Sequence, residues 1–180
     1  MGRFYFDNYY LNFINLRKNI FFLRLKKPEF HNKHTGKKIL IIGTGPSFYK
    51  EKEKINTFIK NNNPIVIAIN NIPNDFKIDY RIFVNRSRFT NYSNLIRESQ
   101  ELILSPYFKK KLIYNYIKNK KYLLTYYKVD NSITNSFEIR NNIISFKNTP
   151  NAGFVAILSA YIMGSTDINI AGIDGYYKNV

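Results

Sequence analysis

A chain of 180 residues, 44% hydrophobic and 22% charged, is long enough for one domain with a sizeable core and a short arm, and too short for two full domains. It holds no cysteine, which excludes disulfides, thiolate metal sites and a cysteine nucleophile, and no uninterrupted apolar run long enough to span a bilayer. The formal charge of +16 suits nucleic acid, an anionic membrane surface or an anionic sugar nucleotide. Zinc ligand pairs, RNP-type strands and basic-zipper heptads are all missing, and Lys, Asn, Ile, Tyr and Phe share A/T-rich codons, a compositional source for the lysines, so nucleic acid is set aside as a partner.

Residues 1–37 form a basic, aromatic arm in which Phe4, Tyr9, Tyr10, Phe13, Phe21 and Phe22 alternate with Arg3, Arg17, Lys18, Arg24 and Lys26. From Tyr9 to Leu25 the apolar positions follow helical spacing, which predicts a basic amphipathic helix. Such a helix can lie on anionic lipid or pack across the domain with its charges in water. Ile20–Leu23 is too short and too closely flanked by Lys18 and Arg24 to be a secretory core, so a cytoplasmic location is expected. His31 and His34 have metal-like spacing without a third ligand nearby and are read as part of a solvated linker.

From residue 38 the pattern is that of an α/β fold. Lys38–Ile42 is a short apolar run that stops at Gly43, as a buried parallel strand does before a turn. Ser47 is expected to cap the following helix, with Glu51 and Glu53 near its positive end and Ile55, Phe58 and Ile59 facing inward. Asn61 to Pro64 closes that helix, and Ile65–Ile69 is the second strand. Tyr80–Val84 and Leu102–Leu104 are the third and fourth. Between Phe108 and Asn142 periodicity is poor, with one helix expected near 110–119. Order returns with a strand at Ile143–Ser145, a helix over Ala152–Met163 and a closing strand at Ile168–Ala171 that runs into Gly172-Ile173-Asp174-Gly175. Strands alternating with helices predict a Rossmann-like, mainly parallel sheet covered on both faces over residues 38–180.

In open parallel sheets, ligands bind beyond the carboxyl ends of the strands. That rule selects Gly43-Thr44-Gly45-Pro46-Ser47, Asn70 and Asn71, Asn85 and Arg86, and Asp174 as one rim. In the turn, Gly43 and Gly45 would let the backbone approach a phosphate, Pro46 pre-sets the helical start, and Ser47 with the free amides of the first turn can bind an anion. A Walker A loop is excluded because Phe48 follows Ser47 where the motif needs Gly-Lys-Ser/Thr. A dinucleotide fingerprint is excluded too, since Phe48 replaces the third glycine and Asn70 stands where the ribose-binding acid belongs. A Gly-x-Gly after a strand fits a packing turn equally well.

The segment Ile41-Ile42-Gly43-Thr44-Gly45-Pro46-Ser47 resembles the first-strand Gly-x-Gly-Pro-Ser motif of bacterial sialyltransferases of glycosyltransferase family 42 and of the broader MptE-like domains. In the same order, Ala68-Ile69-Asn70, Phe83-Val84-Asn85, Asn151-Ala152-Gly153 and Gly172-Ile173-Asp174 are similar to that family's later blocks. The resemblance implies a metal-independent transferase, needing no cofactor, that takes a CMP-type sugar nucleotide and a glycan acceptor for surface glycan synthesis. It puts Gly43 to Ser47, Asn70, Asn71, Asn85 and Arg86 by the nucleotide and phosphates, and Asn151, Ala152 and Gly153 by the donor sugar. Separately, the basic arm makes peripheral contact with the inner membrane an expectation. Two departures stand out. The family's histidine base follows the Gly-Ile-Asp strand, whereas this chain's histidines lie in the arm, leaving Asp174, Tyr176 and Tyr177 as the catalytic candidates, and Asp174 would need a strongly raised pKa. The sequence also stops at Val180, so a fragment of a longer reading frame, truncated at its carboxyl end, is the expectation, with a shortened relative that binds without this chemistry as the alternative. An MptE-like pyrophosphokinase and a non-catalytic nucleotide-binding module remain alternatives.

Overall fold

A computed structural model describes residues 31–105, 107–109, 112–113, 122–124, 127–140 and 143–174. The expected amphipathic helix between Tyr9 and Leu25 and nearly all of the helix expected near 110–119 lie outside the described residues. Among the described residues no helix is long and apolar enough to cross a membrane.

The chain builds an α/β fold around a six-stranded, wholly parallel sheet. Its elements in order are β1 (Lys38–Ile42), α1 (Pro46–Lys50), α2 (Lys52–Asn62), β2 (Ile65–Ile69), β3 (Tyr80–Phe83), α3 (Arg86–Tyr92), β4 (Glu101–Leu104), β5 (Tyr122–Leu124), β6 (Tyr127–Val129), β7 (Phe137–Arg140), β8 (Ile143–Phe146), α4 (Ala152–Ile162) and β9 (Asp167–Ala171). Strand order is β5-β4-β3-β2-β1-β9, so it reverses at β1: the chain first walks outward on one side and then returns to place its last strand on the other. A second, three-stranded sheet, β6-β8-β7, contains the strand expected at Ile143–Ser145 as β8, while β6 and β7 were not legible in the weakly periodic middle of the chain.

The period of two along each strand divides the core. Ile39 and Ile41 of β1, Ile67 and Ile69 of β2, and Ile82 of β3 face α4, whose Val155, Ala156, Leu158, Ala160 and Ile162 are buried. Leu40, Ile42, Val66 and Ala68 face the other way, against Phe48 of α1 and Ile55 of α2. Helices therefore cover both faces, which is why these strands read as continuous apolar runs. The small sheet closes the α4 side: Ile144, Phe146 and Tyr127 join that core, and the Tyr127 hydroxyl lies 3.0 Å from Ser105 Oγ at the end of β4. Burial pushes the Tyr127 phenol up to about 12, so it stays protonated and able to donate.

Two local expectations change. The helix after β1 breaks at Glu51 into α1 and α2, and its cap position is Gly45, with Pro46 beginning the helix. Pro46 has the fixed φ and missing N–H that suit the first helical position, which moves Ser47 inside the first turn, where its side chain is free for another partner. The stretch read as a solvated linker is docked. The last carbonyls of α4 need donors, and residues 32–36 supply them: Asn32 N donates to Ile162 O, His34 N to Met163 O and Gly36 N to Gly164 O, at 2.9, 2.8 and 3.1 Å.

His34 Nε2 then meets the buried Tyr80 hydroxyl at 2.7 Å, and Lys33 bonds Glu101 at 2.8 Å beside them. Burial, then the Lys33 charge, lowers the His34 pKa from its ordinary 6.5. The fold thus prefers neutral His34, and its contribution to stability is complete above about pH 6.5 and is lost as pH falls through the lowered folded value. Melting temperatures measured between pH 7 and pH 5 should fall more for the natural chain than for His34→Gln, which keeps a hydrogen-bonding side chain without the titration.

Candidate functional site at the carboxyl edge of the sheet

The reversal at β1 opens the crevice where loops leave the sheet in opposite directions. What enters it is the chain itself. Gly43 N donates to Ala171 O and Gly45 N to Gly172 O, each at 2.8 Å, so the turn after β1 and the turn after β9 are laced together. The approach is too tight for side chains. A Cβ on Gly43 would run into Gly172 O, one on Gly172 would run into Gly43 O, and Gly172 takes φ +67°, a left-handed conformation that glycine adopts without strain. On the other side, a Cβ on Gly153 at the start of α4 would come within 3.0 Å of Ile173 Cγ2. Residues 172–174 therefore run between the amino termini of α1 and α4.

Asp174 completes this arrangement. Ser47 N donates to its Oδ2 at 2.6 Å and Ser47 Oγ to its Oδ1 at 2.5 Å, while Gly172 N donates to Ser47 Oγ at 3.2 Å. A Cβ on Gly45 would lie 2.7 Å from Asp174 Oδ2. The donors expected to meet a phosphate thus hold an anion in this structure, and it is the chain's own carboxylate. The bonds from the Ser47 side chain and amide lower the Asp174 pKa below its ordinary 3.8. A general base for a hydroxyl acceptor needs the opposite shift. Tyr176 and Tyr177 lie outside the described residues.

The remaining rim residues sit at the same edge in different roles. Asn85 Oδ1 accepts from Arg88 N at 3.2 Å and caps α3, and Asn151 Oδ1 accepts from Phe154 N at 2.8 Å and caps α4. Both asparagines are exposed, as is Arg86 in the first turn of α3; Thr44, Asn71 and Ala152 are half-buried, and Pro46 is exposed. Asn70 differs from its neighbours. Its backbone is left-handed, φ +53°, and its Oδ1 is buried with no hydrogen-bond partner among the described residues. An acceptor left unpaired away from water costs roughly 1–3 kcal/mol. His34 is at the opposite edge, beside the first residue of β3, and cannot serve this rim. Among the described residues no three acidic or histidine side chains converge as a metal site.

Arg81 escaped the reading of the sequence. It is a completely buried guanidinium in the middle of β3. Nη1 donates to Asn70 O at 2.7 Å and to Ile72 O at 2.9 Å, Nη2 to Asn74 Oδ1 at 3.0 Å, and Nε to Gln100 Oε1 at 3.3 Å. Burial, then the Arg97 charge, brings its pKa down to about 10, which leaves it cationic at neutral pH. Its signal was a single charge in the apolar run Tyr80-Arg81-Ile82-Phe83 of a sheet covered on both faces.

No family model, curated protein or solved structure matches this chain.

Two outcomes check the lacing of β1 to β9. Gly43→Ala should lower the urea unfolding free energy by about 1–3 kcal/mol, the usual cost of overpacking a fixed backbone contact. For Asp174, whose folded pKa is lowered, the contact stabilises the fold above the unfolded value near 3.8 and is lost as pH falls through the folded value. Melting curves should then show Asp174→Asn less stable than the natural chain at pH 6 and equal to it at the acid end.

Proposed function

We propose that residues 38–174 are a Rossmann-like nucleotide-binding domain whose carboxyl edge takes an anionic, CMP-type sugar nucleotide, in the manner of a glycosyltransferase of the sialyltransferase kind acting in surface glycan synthesis. The observation that carries this reading is Asn70: a buried amide oxygen without a donor, held in a left-handed turn at the end of β2, next to the strand at which the order reverses. A ribose hydroxyl or a base amino group supplies the N–H or O–H it lacks, and pairing an otherwise orphaned acceptor converts its cost into affinity and selectivity.

The surrounding chemistry supports an anion rather than a neutral sugar. The Ser47 amide and hydroxyl already hold a carboxylate, so a phosphate reaching that turn exchanges with Asp174 and recovers the same two donors. Asn85 and Asn151 use their carbonyl oxygens as caps, and an amide NH₂ is a donor group that suits phosphate or carboxylate oxygens. Exposed Arg86 and Arg88 and the chain's charge of +16 steer an anion toward this edge.

A second reading, a binding module without transfer chemistry, is favoured by the lowered pKa of Asp174 and by the position of His34 on the far edge. Titration calorimetry separates the claims. CMP should bind at millimolar affinity or better, and at least about tenfold more tightly than AMP or GMP, a gap worth about 1.4 kcal/mol. Equal affinity for the three nucleotides would remove the cytidine reading, and product release from a CMP-sugar in the presence of a glycan acceptor decides between transferase and module.

A further inference from the structure

A buried guanidinium ordinarily has a carboxylate beside it, because removing a charge from water is expensive and an opposite charge is the main compensation. Arg81 has none among the described residues. Its partners are two backbone carbonyls and two neutral amide side chains. The acidic groups of the neighbourhood are engaged elsewhere: Asp75 with Lys52, Asp79 with Val66 N and Lys77, and Glu101 with Lys33. The amides themselves are locked, since Gln100 Nε2 donates to Asn74 Oδ1 at 3.0 Å and Asn74 Nδ2 to Leu95 O at 2.7 Å. Three of its four bonds hold the link that follows β2, beginning with the carbonyl of Asn70, and the fourth goes to Gln100 just before β4.

We propose that Arg81 is a positioning residue for the edge site, and that its fork fixes Asn70 in the left-handed turn while its unmatched charge is held for the anion of a bound nucleotide. The inference rests on the nucleotide reading above. The four acceptors account for the hydrogen bonds of the fork but not for its positive charge, which no described carboxylate answers, so the charge needs a use. Its place supplies one. The Asn70 carbonyl that it holds lies at the carboxyl end of β2, the strand paired with β1, and β1 leads into the Ser47 turn. Through a water-poor core, a charge at roughly 10 Å acts on a phosphate at an effective dielectric near 20, enough to change affinity by on the order of tenfold. The same neutral surroundings that make Arg81 costly in the free chain leave its field unscreened toward the edge.

Replacing Arg81 itself could unfold the chain, so the decisive variant keeps it and cancels its charge. Asn74→Asp retains the oxygen 3.0 Å from Nη2 and puts a carboxylate on the guanidinium. Calorimetry with CMP and with uncharged cytidine, on the full chain and on the variant, reads the effect alongside melting temperature. The expected result is CMP binding weakened about tenfold and cytidine binding unchanged, in a variant that still melts cooperatively although it loses the Asn74 Nδ2 bond to Leu95 O. Gln100→Glu, which brings the carboxylate to the Nε side, is the second variant and should give the same split. CMP bound equally well by both variants, or CMP and cytidine weakened together, would overturn the assignment while the nucleotide reading stood. A natural chain that binds neither CMP nor inorganic pyrophosphate overturns that reading first, and Arg81's role with it.

Discussion

Two backbones can cross in van der Waals contact only where neither directs a Cβ into the other. The crossing of Gly43 over Gly172 is such a point, and much of the carboxyl edge depends on it. Because the two turns lie against each other, Gly45 N reaches Gly172 O, the chain after β9 is directed between α1 and α4, and Asp174 arrives at the Ser47 amide and hydroxyl. A single methyl group at either glycine would push β9 out of register with β1 at its upper end and carry Asp174 away from its donors. The glycines in this turn therefore have a structural use that is complete without any ligand. Whatever binds at the edge must do so beside, or in exchange for, residues 172–174.

The edge also divides its electrostatic work between two groups in opposite conditions. Asp174 is an anion whose donors are supplied by the chain, and its proton affinity falls as a result. Arg81 is a cation whose partners are all neutral, and its proton affinity falls too, for the opposite reason: burial penalises its charge and nothing negative repays it. One group is electrostatically settled in the free chain and the other is not. Asn70 lies over the unsettled one, with an unpaired oxygen of its own. The orphan acceptor and the unmatched cation are thus joined through one backbone carbonyl, that of Asn70. That asymmetry puts the unpaired polar group of the edge on the β2 side of the crevice, away from the glycine turn.

The amino edge of the sheet is governed by a different need. The helix α4 is almost wholly apolar, which suits its burial but leaves its carboxyl-terminal carbonyls without polar side chains to satisfy them. Residues 32–36 meet that need, and the docking brings His34 onto Tyr80 and Lys33 onto Glu101. This segment is thereby tied to the sheet at its lower edge, on the far side from the candidate site. The single described histidine with a shifted pKa is thus a device of the fold and has no access to chemistry at the carboxyl edge.

The sequence by itself determined the strands β1, β2, β3, β4 and β9, the helix α4, their alternation and the edge at which Gly43 to Ser47, Asn70, Asn85, Asn151 and Asp174 gather. These were legible because a parallel strand buried on both faces must be a short apolar run, and because the residues that punctuate such runs fall at their ends. Of the small sheet only β8 was legible, as the apolar run at Ile143–Ser145; β6 and β7 are three and four residues long, and the pairing, parallel on one side of β8 and antiparallel on the other, is not written in any one segment. Nor could spacing tell that the Ser47 donors would be taken by Asp174, 127 residues later, or that Arg81 would be buried without a counter-charge. Sequence pattern reports how often a residue type faces the core. Which donor meets which acceptor is decided only when the crossing of strands fixes distances, and that crossing belongs to the tertiary structure alone.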